Sequence, residues 1–599
     1  MISIGTKTIR ERREWRDSQT SEAVFAKRIL VIVLVAMCLV ADGNFYSIAA
    51  TGGLASPVPP NPSRPAIPTA GAIGGPSGPA WLSYDRPATS EVVVNEIDVP
   101  MRDGVAMRCT FSRPGHAGQP ALGRYPVLVS NFFAYRLLQV TNFHLEADRF
   151  AARGYAVLEC SPRGSGGTPG EWRPFGEQER RDLYDLIEWA GTQPWSSGKV
   201  GQTGISYGGI SSYKAATTGA PHLAAVAPIV GYSDFYSEMI YPGGVRGSVL
   251  RWWPAATWAL SVGDQNPADA VTSLPEYAAF EERAQQHPTR DAYWQELAID
   301  AKALDAGNVP VLNIGGWHDL FTKGTVDNYL AAKDQSWLMM FPWAHADFMP
   351  GLPDFAVVER ALLAWFDHWL MDMPQAPLPS ARVTSWQLPK RTGEWVELPD
   401  WPGTNKASVL HLNANRTLGQ QPGASAALTY PVNPFDNGCA CMESGLFGSP
   451  DDPTNDQRLA DATRLDFDSP LLKEKVVIAG EPTGRIRAAL STTDGNLVVR
   501  LNDVAPDGTS YVITTGWLRA SHQTGDAQPT PRVPNQVYDY RVALRPTHWT
   551  LAAGHRLRVS VSSGDLAKIE PNATLGTVTV LSGEGGSTIE VPIEGRLPQ

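Results

Sequence analysis

Three residues of this chain have the types and the order needed for nucleophilic acyl transfer. Ser206 lies in Gly204-Ile205-Ser206-Tyr207-Gly208, Asp319 closes Gly315-Gly316-Trp317-His318-Asp319, and His345 closes Phe341-Pro342-Trp343-Ala344-His345. A serine hydroxyl becomes a useful nucleophile when an imidazole takes its proton, and a carboxylate holds that imidazole in the right tautomer. Glycines two before and two after the serine suit a tight strand-to-helix turn that raises the hydroxyl. With 55 glycines in 599 residues, the pentapeptide alone arises by chance at roughly a few tenths per chain. Its weight therefore depends on the aspartate, the histidine and the elements that carry them.

Those elements are legible as alternating strand-like and helix-like stretches. Residues 125–130 and 154–159 are short apolar runs, 177–190 has helical spacing with Leu183, Leu186, Ile187 and Ala190 on one side, and 200–205 leads into Ser206. Such alternation predicts βαβ units and a parallel sheet. Two more buried-strand candidates, 309–314 and 336–341, run directly into Asp319 and His345. An acid after one late strand and a histidine after the next is the Ser, Asp, His order of the α/β-hydrolase fold. Ligands of open α/β sheets bind beyond the carboxyl ends of the strands, where all three would stand. His318 as base would break that order. Asp347 is too close in sequence to His345 to pair with it readily, and Asp327 reads as a solvated helix charge.

Composition narrows the class. Hydrophobic residues make up 43% and charged residues 19%, as in globular proteins, and the length calls for two to four domains. A net charge of −11 argues against a nucleic-acid partner. Residues 1–50 read as a signal peptide or N-terminal anchor: Lys27-Arg28 precede the apolar run 29–41, and Ala49-Ala50 follow it. Export to the periplasm or the extracellular space is expected, with any membrane contact confined to that segment. Residues 51–80, with Pro57, Pro59, Pro60 and Pro62, form a Pro/Gly-rich linker. Cys109, Cys160, Cys439 and Cys441 read as structural, with their pairing open. Their spacing completes no tetrahedral metal site, and neither a metal nor an organic cofactor is called for.

Longer signatures agree with the trio. The stretch from Asp185 to Gly209, the segment 99–104 (Val-Pro-Met-Arg-Asp-Gly) and 161–172 (Ser-Pro-Arg-Gly-Ser-Gly-Gly-Thr-Pro-Gly-Glu-Trp) resemble the cocaine esterase/X-Pro dipeptidyl-peptidase family of serine hydrolases. Further on, 502–508 and 516–522 are similar to signatures of that family's C-terminal domain. The resemblance implies an α/β-hydrolase catalytic domain over 81–378, a helical cap inserted at 233–305, and a β-jelly-roll over 380–599. The alternating β-type residues at 498–501 and 557–561 fit that last part.

The resemblance also implies roles. Ser206 is the nucleophile, His345 the base and Asp319 the acid. The Tyr207 backbone N–H supplies one oxyanion donor, and the Tyr135 hydroxyl supplies the second from a loop whose pattern is shifted relative to the family's. Trp172, Phe235, Trp252 and Trp317 are expected to line the substrate pocket. Members that cleave α-amino acid esters place carboxylates just after the catalytic Asp. Here those positions are Leu320-Phe321-Thr322, leaving only Glu238 or Asp234 in the cap to offer a charge. The implied substrate is a small acyl ester, with an X-Pro peptide or other amide as the alternative. A hydrolase fold kept only for binding is the third reading. Assembly as a homo-oligomer is compatible with all three.

Overall fold

The apolar runs at 125–130 and 336–341 form strands over those same residues, because each is a short β-rich segment buried on both faces. In the computed structural model of the protein, the structure describes residues 78–136, 147–261, 267–345, 355–389, 392–403, 406–436, 455–566, 568–571, 574–595 and 597. The expected export segment 1–50, the linker up to residue 77, Asp347, Cys439 and Cys441 lie outside the described residues.

The chain first lays down β1 (Glu91–Pro100), β2 (Ala106–His116), β3 (Tyr125–Ser130) and β4 (Ala156–Cys160), followed by α1 (Glu177–Thr192). Next come β5 (Ser196–Ile205), α2 (Tyr207–Ala216) and β6 (Leu223–Ile229). After a helical insertion the sheet resumes with β7 (Val311–Gly316), α3 (Thr322–Ala331), β8 (Ser336–Phe341) and α4 (Phe355–Leu370). It ends with β9 (Val383–Gln387) and β10 (Glu394–Leu398), giving the order β1-β2-β4-β3-β5-β6-β7-β8-β9-β10. From β4 to β9 all neighbours run parallel, and β1, β2 and β10 are antiparallel edges.

Two strands reach past the boundary expected near 380. Val383 and Ser385 of β9 stand opposite Leu338 and Met340 of β8 in parallel register, so the hydrolase sheet continues to Leu398. Hydrogen bonding to β8, invisible in a local pattern, assigns this pair to the first sheet. The insertion is helical over Trp253–Ser261, Pro267–Gln286, Ala292–Leu297 and Ala301–Ala306, with shorter turns before them.

Beyond residue 406 the described chain is almost entirely β. A nine-stranded and a four-stranded sheet share one apolar core, with Leu410, Ile478 and Val591 from the first meeting Leu497, Phe467 and Val559 from the second. Cys109 of β2 and Cys160 of β4 face each other across an antiparallel pair and form a disulfide, both fully buried.

Candidate active site

Ser206 sits between β5 and α2 with φ 58° and ψ −111°, the left-handed region that L-residues avoid. The turn is enforced by close backbone approach. A Cβ on Gly204 would come within 2.8 Å of the Gly208 Cα, and one on Gly209 within 2.2 Å of the Ile229 carbonyl oxygen. Gly208 is less crowded, meeting Asn131 at 3.3 Å, so Gly209 is the tighter constraint after the serine. The Ser206 N–H donates to the Ile229 carbonyl, which ties the elbow to β6.

The carboxyl ends of β7 and β8 bring the other two residues to the elbow. His345 Nε2 lies 2.8 Å from Ser206 Oγ, and its Nδ1 lies 2.7 Å from Asp319 Oδ2. Asp319 is fully buried, and its second oxygen accepts the Phe321 N–H at 2.6 Å, so both carboxylate oxygens are committed. This fits an imidazole that donates from Nδ1 and accepts the serine proton at Nε2. The Phe321 ring stands edge-on to His345 at 5.5 Å. His318 turns the other way, its ring 6.3 Å from that of Trp549 in the C-terminal part. Asp327 holds Lys323 at 3.0 Å and does not approach the imidazole.

Tyr207 opens α2. Its N–H is one of the first-turn donors that no intrahelical carbonyl can satisfy, and it directly follows the nucleophile. Its side chain is anchored below: the hydroxyl donates to Glu179 Oε2 at 2.8 Å, and the Phe175 N–H donates to the same oxygen at 3.0 Å. Burial pushes the Glu179 carboxyl up to about 7, against the pull of these donors. Glu179 was missed in the sequence, although an acid on the same helical face as Leu183 and Leu186 was a usable sign. Tyr135 packs edge-on against Tyr207 at 5.9 Å and accepts a hydrogen bond from Trp253 Nε1 at 3.1 Å. An indole can only donate, so the tyrosine's own proton is not consumed by that contact.

The expected pocket residues divide. Trp172 and Phe235 have no solvent-accessible surface, so they are core rather than lining. Trp172 stacks on Tyr277 at 4.2 Å, and Phe235 on Tyr232 at 4.9 Å, which locks the cap to the sheet domain. Trp317 also faces away, donating from Nε1 to the Trp386 carbonyl at 3.0 Å and packing on Trp401. Large aromatics pack as core more readily than they line a cavity. Trp252 is half-buried at the cap, and it is its neighbour Trp253 that reaches Tyr135. Neither candidate charge is available. Asp234 pairs with Arg290, and burial together with the nearby Asp327 charge pushes Glu238 up to about 8. Among the described residues no group of three or more His, Cys, Asp and Glu is arranged to hold a metal ion.

A mostly parallel sheet, a strained serine at its carboxyl edge, an inserted helical cap and a β-rich C-terminal part define a serine hydrolase of the α/β-hydrolase fold. Comparison with known proteins agrees. The family model of X-Pro dipeptidyl-peptidase (S15 family) matches residues 103–347, and that of the X-Pro dipeptidyl-peptidase C-terminal non-catalytic domain matches 378–589. Cocaine esterase of Rhodococcus sp. (strain MB1 Bresler) is 28% identical over 545 residues, spanning 81% of this chain and 93% of the esterase. A CocE/NonD family hydrolase from Staphylococcus aureus shares the fold with a TM-score of 0.69 at 19% identity, covering 84% of this chain and 94% of its own. An α-amino acid ester hydrolase matches with a TM-score of 0.69 at 21% identity, over 87% of this chain and 100% of its own. The chain belongs to the cocaine esterase/X-Pro dipeptidyl-peptidase family of serine hydrolases.

Proposed function

We propose that the protein hydrolyses a small acyl ester through Ser206, His345 and Asp319. The reading is carried by one observation, the continuous line from Ser206 Oγ through both imidazole nitrogens to the buried Asp319 carboxylate, with contacts of 2.8 and 2.7 Å. Ser206 attacks the carbonyl as His345 takes its proton, and Asp319 stabilises the imidazolium. The Tyr207 N–H and the Tyr135 hydroxyl receive the charge that develops on the carbonyl oxygen. His345 then protonates the leaving alcohol, and water activated by the same imidazole releases the acid.

An apolar acyl group is favoured over an ammonium-bearing one. Leu320, Phe321 and Thr322 follow the acid and carry no charge, while Glu238 and Asp234 are neutralised by burial and by Arg290. Export is supported by the Cys109–Cys160 disulfide, since such bonds persist in oxidising compartments. We read the paired C-terminal sheets as a jelly-roll that borders the site.

Labelling by a fluorophosphonate tests the nucleophile: it should occur in the wild type and vanish in Ser206→Ala. Labelling that is absent from the wild type, or that survives in the variant, sinks the enzyme reading. A panel of acyl esters and X-Pro amides tests the substrate class. An X-Pro amide turned over faster than every ester would instead make the protein a dipeptidyl-peptidase.

A further inference from the structure

The backbone at the nucleophile is held from both flanks. Ser206 keeps a left-handed φ of 58°, a conformation that persists only where the surroundings over-determine it. On one flank its N–H donates to the Ile229 carbonyl of β6 at 3.0 Å. On the other flank β3 ends at Ser130, opposite Thr203, while β5 continues to Ile205. Backbone N–H groups inside a sheet need acceptors, and beyond Ser130 the strand no longer offers them to β5. The next residue, Asn131, meets the need with its side chain. Its N–H donates to the Thr203 carbonyl at 2.9 Å, and its Oδ1 accepts the Ile205 N–H at 3.2 Å. A side-chain carbonyl thus extends the β3–β5 ladder to the peptide directly before the nucleophile.

The residue type suits the place. Asn131 is 1% exposed and itself has a φ of 49°. Asparagine visits that region more readily than most side chains, and its amide reaches farther than a serine hydroxyl. The amide is oriented by its other end, where Nδ2 donates to the Ser130 hydroxyl at 3.4 Å. Asn131 also accounts for the glycine two residues after the nucleophile. A Cβ on Gly208 would meet Asn131 Cα and Oδ1, both at 3.3 Å, and would press on the acceptor that holds Ile205. From Asn131 the chain turns toward Tyr135, anchored on β4 by the Phe133 N–H to the Cys160 carbonyl at 3.4 Å. One buried residue therefore joins the elbow of Ser206 and Tyr207 to the start of the loop that carries Tyr135.

We propose that Asn131 is a positioning residue for the reaction: its side-chain carbonyl holds the strained elbow and so fixes Ser206 Oγ and the Tyr207 N–H against the Tyr135 loop. The proposal rests on the Ser206–His345–Asp319 reading. Attack needs the hydroxyl in one direction and the oxyanion donors converging on one point. Without the Asn131 acceptor the Ile205 peptide is free to rotate, and Ser206 relaxes toward an ordinary φ. The chemical step then slows, whereas substrate binding, which a buried Asn131 does not touch, is kept.

Asn131→Gly isolates the acceptor, because glycine adopts the left-handed φ without strain. On an aryl ester, well below the measured Tm, its kcat should fall by about ten- to a hundredfold while KM stays within about threefold of the wild type. Asn131→Ser, whose shorter side chain stops short of the Ile205 N–H, carries the same test should the glycine variant not fold. A residue that only supports the fold would lower Tm and leave the kcat of the folded enzyme alone. A folded variant with kcat within about threefold of the wild type therefore overturns the proposal, and so does a loss that lies in KM instead of kcat. A wild type that takes no fluorophosphonate label would strike the triad reading instead.

Discussion

Replacing Tyr135 by Phe removes one hydroxyl and so tests the second oxyanion donor directly. In the structure that oxygen accepts from Trp253 Nε1 at 3.1 Å, a contact that does not use the hydroxyl's own proton. Loss of one such donor typically costs about 2.7–4 kcal/mol of transition-state stabilisation, or 10²–10³ in turnover. The same substitution leaves the Trp253 indole, on a residue only 8% exposed, without its acceptor, a ground-state cost of about 1–3 kcal/mol. Two variants separate these effects. Tyr135→Phe should lower kcat on an aryl ester by two to three orders of magnitude with a modest fall in Tm. Trp253→Phe should lower Tm similarly yet reduce kcat less than about tenfold, because the phenol remains. Steady-state turnover and thermal unfolding on both proteins decide the matter. Turnover of Tyr135→Phe within threefold of the wild type would remove that hydroxyl from the chemistry.

Glu179→Ala leaves the buried Tyr207 hydroxyl and Phe175 N–H unmet, at roughly 1–3 kcal/mol each. It should lower Tm and also kcat, by about tenfold, through the loosened Tyr207 N–H; kinetics and melting measured together would expose an unchanged kcat in a folded variant. Glu238, with its carboxyl raised from 4.5 to about 8, stabilises the fold fully below its unfolded pKa, and that contribution is lost as pH rises through about 8. The Tm advantage of Glu238→Gln over the wild type should therefore widen between about pH 5 and 9, and a pH-independent difference would refute the burial account. Reducing the Cys109–Cys160 bond, which closes a separation of 51 residues, should cost up to about 4 kcal/mol by loop entropy. Denaturant midpoints of the wild type and a Cys109→Ser/Cys160→Ser double variant measure it.

Much of the sheet was legible because its strands are short, apolar and buried on both faces, so local composition announces them. The runs 125–130 and 336–341 and the helix beginning at Glu177 fall at their expected positions. β9 and β10 fall within the residues that match the C-terminal family model, yet β9 pairs with β8 and β10 with β9, and an alternating strand carries no mark of which sheet it will join. The aromatic residues were the weakest reading. Trp172, Phe235 and Trp317 sit near the trio in sequence, yet packing turned each into the core or toward the C-terminal sheets.

By itself the sequence determined the order Ser206, Asp319, His345 and the strands that end in them, because chain order and β-propensity are local properties. It also carried the demand for glycine at 204 and 208, while the fold moved the tighter constraint after the serine to Gly209, where a Cβ would come within 2.2 Å of the Ile229 carbonyl oxygen. Only the tertiary structure decided that His345 bridges Ser206 and Asp319, that Trp253 rather than Trp252 reaches Tyr135, and that Arg545 of the C-terminal part donates to the Asp319 carbonyl. Asp319 and Arg545 are 226 residues apart. Contacts across such distances depend on how whole sheets dock, and the residues taking part carry no local sign of their partners.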